Sequence, residues 1–110
     1  MATAPEQTST DQLLIEDLRK NAKQATNLLK ALANENRLMI LCYLDGQELS
    51  VSELNSHLDL SQSALSQHLS VLRRDNLVKT RRESQTIFYS LNGEEAKNVI
   101  RTLHSMYCAT

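Results

Sequence analysis

Two helix starts lie close together in residues 50–75, SVSELNSHLDLSQSALSQHLSVLRRD, and this stretch limits the possible folds more than any other. Ser50-Val51-Ser52-Glu53 has the capping-box pattern, in which a serine hydroxyl accepts a backbone N–H and the glutamate three residues on reaches back to the cap. It opens a short helix that buries Val51, Leu54 and Leu58. Asp59-Leu60 leaves room only for a tight connection. Ser61 then caps a second helix, in which Leu65, Leu69 and Leu72 fall at i, i+4 and i+7 with Ala64 beside them. Two short helices whose leucines interlock across a tight turn form a helix-turn-helix.

The other face of that second helix carries Gln62, Ser63, Ser66, Gln67, Ser70, Arg73 and Arg74, and no carboxylate occurs before Asp75. An ordinary solvated face mixes Glu with Lys. Short hydrogen-bonding side chains without negative charge suit the edges of bases in a DNA major groove, where a carboxylate would be repelled by phosphate. Gln62, Ser63, Ser66 and Gln67 are the residues expected to touch bases. Arg73 and Arg74, at the far end, are better placed for phosphate, with Ser70 between the two groups. The bland alternative is a solvated surface in a small helical bundle. The capped helix before it, the missing acids and a basic segment after it weigh against that reading.

The flanking sequence supplies a frame. A first long helix is expected from about Asp11 to Leu32, with Leu14, Leu18, Ala22, Ala25, Leu29 and Leu32 as its stripe. A second begins after Asn34, uses Leu38, Leu41 and Leu44, and stops at Asp45-Gly46. Beyond Asp75 the period changes. Leu77–Arg81 and Thr86–Leu91 are rich in β-branched and aromatic residues, and the polar tip Arg82-Glu83-Ser84-Gln85 makes the pair a β-hairpin. Gly93 precedes a last helix with Ala96, Val99, Ile100, Leu103 and Tyr107 on one side. The expected fold is mainly α with a hairpin wing, in the order α-α-α-α-β-β-α, over residues 11–110. Residues 1–10, MATAPEQTST, have no apolar run and no basic start, so they are expected to form a disordered tail and not a signal peptide.

A net charge of −1 hides an asymmetry. Across residues 61–91, five basic side chains (Arg73, Arg74, Lys79, Arg81, Arg82) stand against Asp75 and Glu83, a local balance of +3 that a polyanion would feel. Lys79, Arg81 and Arg82 would carry the hairpin along the DNA backbone. No stretch is long enough to cross a membrane. Two cysteines without an export signal point to a reducing cytoplasm and argue against a static structural disulfide. No paired acids, nucleophile–base set or phosphate loop suggests an enzyme. His68, beside the leucine stripe, is expected to be partly buried or phosphate-facing, and His57 to lie on a helix surface.

At this point the residues resemble a family, the ArsR-type winged-helix repressors of bacteria. LLKALANENRLMILCYL is similar to the family's second-helix region, LSQSALSQHLSVLRRDNLV to its recognition helix, and Lys79 through Leu91 to its wing. The resemblance implies a homodimer whose first and last helices pack together. It also implies double-stranded DNA as partner, through a two-fold-related operator with half-sites about one helical turn apart. Metal-sensing members carry Cys-Val-Cys at the start of the helix-turn-helix, but Ser50 and Ser52 occupy those positions here, and a neutral hydroxyl is a poor ligand for soft metals. The family's other site uses Asp and His pairs on the last helix, which here offers His104 with Glu94 and Glu95 near its start. Neither metal site is complete, and no cofactor is expected.

Cys42 and Cys108 instead resemble the paired cysteines of the family's sulfur-responsive branch, where persulfide or oxidant modification switches operator binding. Such a regulator would repress sulfide- or oxidant-response genes or act on virulence genes. A cysteine in an apolar run such as LMILCYL is ordinarily a small core residue, so Cys42 is expected to be the more buried thiol and Cys108 the exposed one. The alternatives are a metal-responsive repressor using Cys42, His104 and Cys108, and a constitutive DNA-binding module with no inducer.

Overall fold

The computed structural model describes residues 3–108. Six helices and three short strands follow one another as α1 (Thr3–Lys20), α2 (Ala22–Leu32), α3 (Glu35–Leu44), β1 (Leu49–Ser50), α4 (Val51–His57), α5 (Gln62–Arg74), β2 (Val78–Glu83), β3 (Thr86–Leu91) and α6 (Glu95–Tyr107). The strands form one antiparallel sheet in the order β1-β3-β2. A mainly helical fold with a hairpin wing is therefore present, with two departures at its start and two in its sheet.

The first long helix is two. Asn21 interrupts it, its side-chain amide donating to the Asp17 carbonyl at 3.0 Å and so competing with the backbone ladder. Helix also begins at Thr3, where a disordered tail was expected through Thr10; Met1 and Ala2 lie outside the described residues. Pro5 falls in the first turn, where a missing N–H removes no helical bond. The third departure is β1, a two-residue strand that local pattern could not signal. It exists because Leu49 and Ser50 pair with Tyr89 and Phe88 of β3.

Helix boundaries elsewhere follow their caps. The Asn34 side chain accepts the Arg37 N–H at 3.0 Å to start α3. Both halves of the Ser50–Glu53 capping box are made, at 3.1 and 2.9 Å. Ser61 accepts the Ala64 N–H at 3.1 Å to start α5. The end of α5 is equally definite. Asn76 takes a left-handed φ of 61°, its N–H donates to the Arg73 carbonyl at 3.0 Å, and the Leu77 N–H reaches the Leu72 carbonyl at 2.9 Å. This double closure, with Leu72 and Leu77 both buried, turns the chain from α5 directly into the wing. Strand β2 starts at Val78 and runs to Glu83, so the turn is only Ser84-Gln85, shorter than the four-residue tip expected.

The core gathers Ile40, Leu41 and Leu44 of α3, Leu54 of α4, and Leu65, Leu69 and Leu72 of α5, with Leu77, Val78, Ala96 and Ile100 around them. In α2 the buried face is Ala31 and Leu32, with Leu28 packed against the core and Leu29 outside. The leucines of α4 and α5 lock the helix-turn-helix to α3, and the polar residues of α5 other than the half-buried His68 are left outward.

Candidate functional site

Helix α5 presents Gln62, Ser63, Ser66, Gln67, Ser70, Arg73 and Arg74, all exposed, while Leu65, Leu69 and Leu72 are buried beneath them. Its first turn holds no acid and its last turn holds both arginines. Arg74 also meets the Asp75 carboxylate at 3.3 Å, so part of its charge is locally answered. His68 is half-buried. Its Nδ1 lies 3.5 Å from Arg37 Nη1, and burial first, then the Arg37 charge, hold its imidazole below the usual range. Arg37 in turn donates to the Ala31 and Lys30 carbonyls at 2.8 and 3.3 Å. One guanidinium thus joins the C-terminal end of α2 to the back of α5.

Strand alternation divides the basic residues of the wing. The register Lys79↔Ser90, Arg81↔Phe88 and Glu83↔Thr86 puts Lys79, Arg81 and Glu83 on one face, and Thr80 and Arg82 on the other. Arg81 is held on every side of its guanidinium. Nε lies 3.2 and 3.1 Å from the two Glu48 oxygens, Nη2 lies 3.0 Å from Glu48 Oε1, and Nη1 lies 2.9 Å from Glu83 Oε2. The group also sits over the Phe88 ring, 4.9 Å from its centroid. The Arg81 hydrogen bond keeps the Glu48 carboxyl below its usual range, with the Arg81 and Lys79 charges adding to it.

On the other side of the molecule, Cys42 and Cys108 line one cleft of about 650 Å³ between α3 and α6, with Leu38, Met39, Leu103, His104 and Tyr107 among its walls. Both cysteines are exposed and neither is in a disulfide. This corrects the expectation for Cys42. Helix α3 is apolar almost all round, and Ile40, Leu41 and Leu44 take the core side, leaving Cys42 and Met39 on the outer face. Partial burial of the thiol, then the Asp45 carboxylate and Cys108, push the Cys42 thiol above its ordinary range. Asp45 pairs with Arg101 of α6 at 3.4 Å, a second link between the same two helices. His104 shares the cleft with the cysteines, yet among the described residues no three His, Cys, Asp or Glu side chains are close enough to hold a metal ion.

Residues 34–80 match the bacterial regulatory proteins of the arsR family. Over 94 residues the chain is 58% identical to the transcriptional activator HlyU of Vibrio cholerae serotype O1, covering 86% of this chain and 87% of that one. The chain belongs to the ArsR family. Two solved structures agree with it in fold. Reduced HlyU from Vibrio cholerae N16961 superposes with a TM-score of 0.79 at 59% identity, over 84% of this chain and 98% of the other. The transcriptional repressor BigR from Xylella fastidiosa gives 0.80 at 41% identity, over 86% and 97%. This ArsR-family chain is a DNA-binding transcriptional regulator.

Sequence reasoning about this ArsR protein missed Arg37, Asp45, Glu48 and Arg101. Each acts on a partner distant in the chain: Arg37 on His68, Arg101 on Asp45, and Glu48 on Arg81. Glu48 had one readable sign, an acid two residues before the capping box in a chain with a basic hairpin to follow. His57 is exposed, as expected, and its ring stacks on Tyr43 at 4.7 Å between centroids. Among the described residues no helix is long and apolar enough to cross a membrane.

Proposed function

We propose that the chain is a homodimeric, cytoplasmic regulator whose operator affinity is switched by persulfide or oxidant modification of Cys42 and Cys108. The observation that carries this reading is the shared cleft, which is lined by two exposed free thiols, one on α3 and one at the C-terminal cap of α6. A thiolate attacks the sulfane sulfur of a hydropersulfide, forming a cysteine persulfide and expelling the donor's thiolate. The second cysteine thiolate then attacks the inner sulfur, closing the Cys42–Cys108 disulfide and releasing hydrogen sulfide. With a peroxide the first product is a sulfenic acid, and its resolution releases water. A longer sulfur bridge follows if a further sulfane sulfur is incorporated.

Either bridge would tie α6 to α3, which packs directly against α5 through the shared leucine core. Coupling of typical size, about 1–3 kcal/mol, would change operator affinity roughly 5–150-fold. On the DNA side, Gln62, Ser63, Ser66 and Gln67 would read bases, and Ser70, Arg73, Arg74, Lys79, Arg81 and Arg82 would supply backbone contacts. Dimerisation is supported by the apolar residues that α1, α2 and α6 leave outside: Leu14, Leu18, Leu29, Met106 and Tyr107. HlyU is described as an activator and BigR as a repressor, so either direction of regulation fits this architecture.

The test is a DNA-binding titration of the reduced protein before and after a polysulfide, with mass spectrometry of the cysteines. Binding should fall, with the mass change of a Cys42–Cys108 link, and return with reductant. Cys42→Ser and Cys108→Ser should each bind as the reduced protein does and no longer respond. A single mutant that still releases DNA normally sinks the two-thiol switch.

A further inference from the structure

We propose that Glu48 sets the DNA affinity of the wing by competing with phosphate for Arg81. The inference rests on the DNA-binding reading and extends it to a residue outside the basic surface. Strand β1 is the reason Glu48 can act. Leu49 pairs with Tyr89 and Ser50 with Phe88, so the next position back, Glu48, comes level with Ser90, in the row that β2 completes with Lys79. Side chains alternate along a strand, which sends Glu48 to the face of Ser50, Phe88, Lys79 and Arg81. From there its carboxylate takes three of the four close contacts around the Arg81 guanidinium, and Glu83 takes the fourth.

Two carboxylates therefore surround one guanidinium, on the hairpin meant to approach a polyanion. The arrangement is open to exchange. The Arg81, Glu48 and Glu83 side chains are 49%, 40% and 66% exposed, and ion pairs this wet are weak. Two oxygens of a phosphate group offer Arg81 the same bidentate geometry as a carboxylate, with counterion release in addition. In the free protein Glu48 holds the guanidinium; on DNA, phosphate replaces it. Arg82 points to the opposite face and, among the described residues, has no carboxylate partner, so it is free to make its contact without this exchange.

The sign of one measurement decides between this competition and a purely structural strut. Reduced protein is titrated against a labelled duplex of mixed sequence over a salt series, with Glu48→Gln, Arg81→Gln and the double variant in parallel. Glu48→Gln should bind roughly two- to fivefold tighter at low salt and steepen the plot of log affinity against log salt by up to about one unit. Glu83→Gln should shift both in the same direction by less. In the Arg81→Gln background, Glu48→Gln should leave the slope unchanged. Weaker or unaltered binding by Glu48→Gln overturns the proposal, because a strut would lose affinity when cut. An equal gain with Arg81 absent also overturns it, because the gain would then come from removing one negative charge anywhere nearby. A wild-type protein that retains no duplex even at low salt overturns the DNA reading and the competition together.

Discussion

Helices α4 and α5 differ sharply from α1 in where their apolar residues go. Leu54, Leu65, Leu69 and Leu72 are at most 1% exposed, whereas Leu13, Leu14, Ile15 and Leu18 of α1 remain 55–64% exposed. The helix-turn-helix satisfies its hydrophobic face within its own chain, through α3 and the base of the wing. Helix α1 does not. The helix-turn-helix thus buries its apolar face within the chain while α1 leaves its own uncovered, the division that the proposed homodimer would account for.

The hardest test of that contrast is truncation on each side. Leu69→Ala empties a fully enclosed site and should cost about 2–5 kcal/mol, seen as a large fall in the thermal midpoint at any protein concentration. Leu18→Ala removes a side chain that is 61% exposed in the single chain, so its effect should appear mainly as weaker self-association and a concentration-dependent midpoint. Equal losses from both variants, independent of concentration, would erase the distinction.

A smaller effect is expected at the cap of the reading helix. Ser61→Ala removes the acceptor for the Ala64 N–H and should cost about 0.5–2 kcal/mol in chemical denaturation. It should also loosen the first turn of α5, raising amide exchange there more than at the buried C-terminal end.

The smallest effect is in pH. His68 is held below its ordinary value of 6.5, so the folded state favours the neutral ring. Well above that value the ring is neutral in folded and unfolded chains alike, and His68 contributes no pH dependence. As pH falls through 6.5 the unfolded chain takes up the proton first and stability declines, the more so because Arg37 already stands beside the ring. Thermal midpoints between about pH 7.5 and 5.5 should drop for the wild type and drop less for His68→Gln. Identical slopes would remove His68 from the titration.

What the sequence reveals, and what it hides, follows from the range of the interactions. Caps and leucine spacing are local, so α4 and α5 were legible down to Ser50, Glu53 and Ser61. The Asn21 break is also local, but an asparagine is compatible with a continuous helix, and the apolar stripe runs through it. The outward turn of Cys42 could not be read from LMILCYL, because apolar residues surround that helix on nearly every side and only the position of the core chooses among them. The hold on Arg81 depends on Glu48, 33 residues earlier, and on a strand of two residues that exists only through its partner. The basic wing was visible; the acids that restrain it became visible only through the fold.

Ser50 ends β1 and caps α4, so a single residue is bolted to the hairpin by sheet pairing and to the reading head by its hydroxyl. The wing is consequently no free finger. If the wing meets DNA as proposed, a groove that pushed the hairpin aside would lever the start of α4 with it, and the two would arrive as one bracket whose span is set before contact is made.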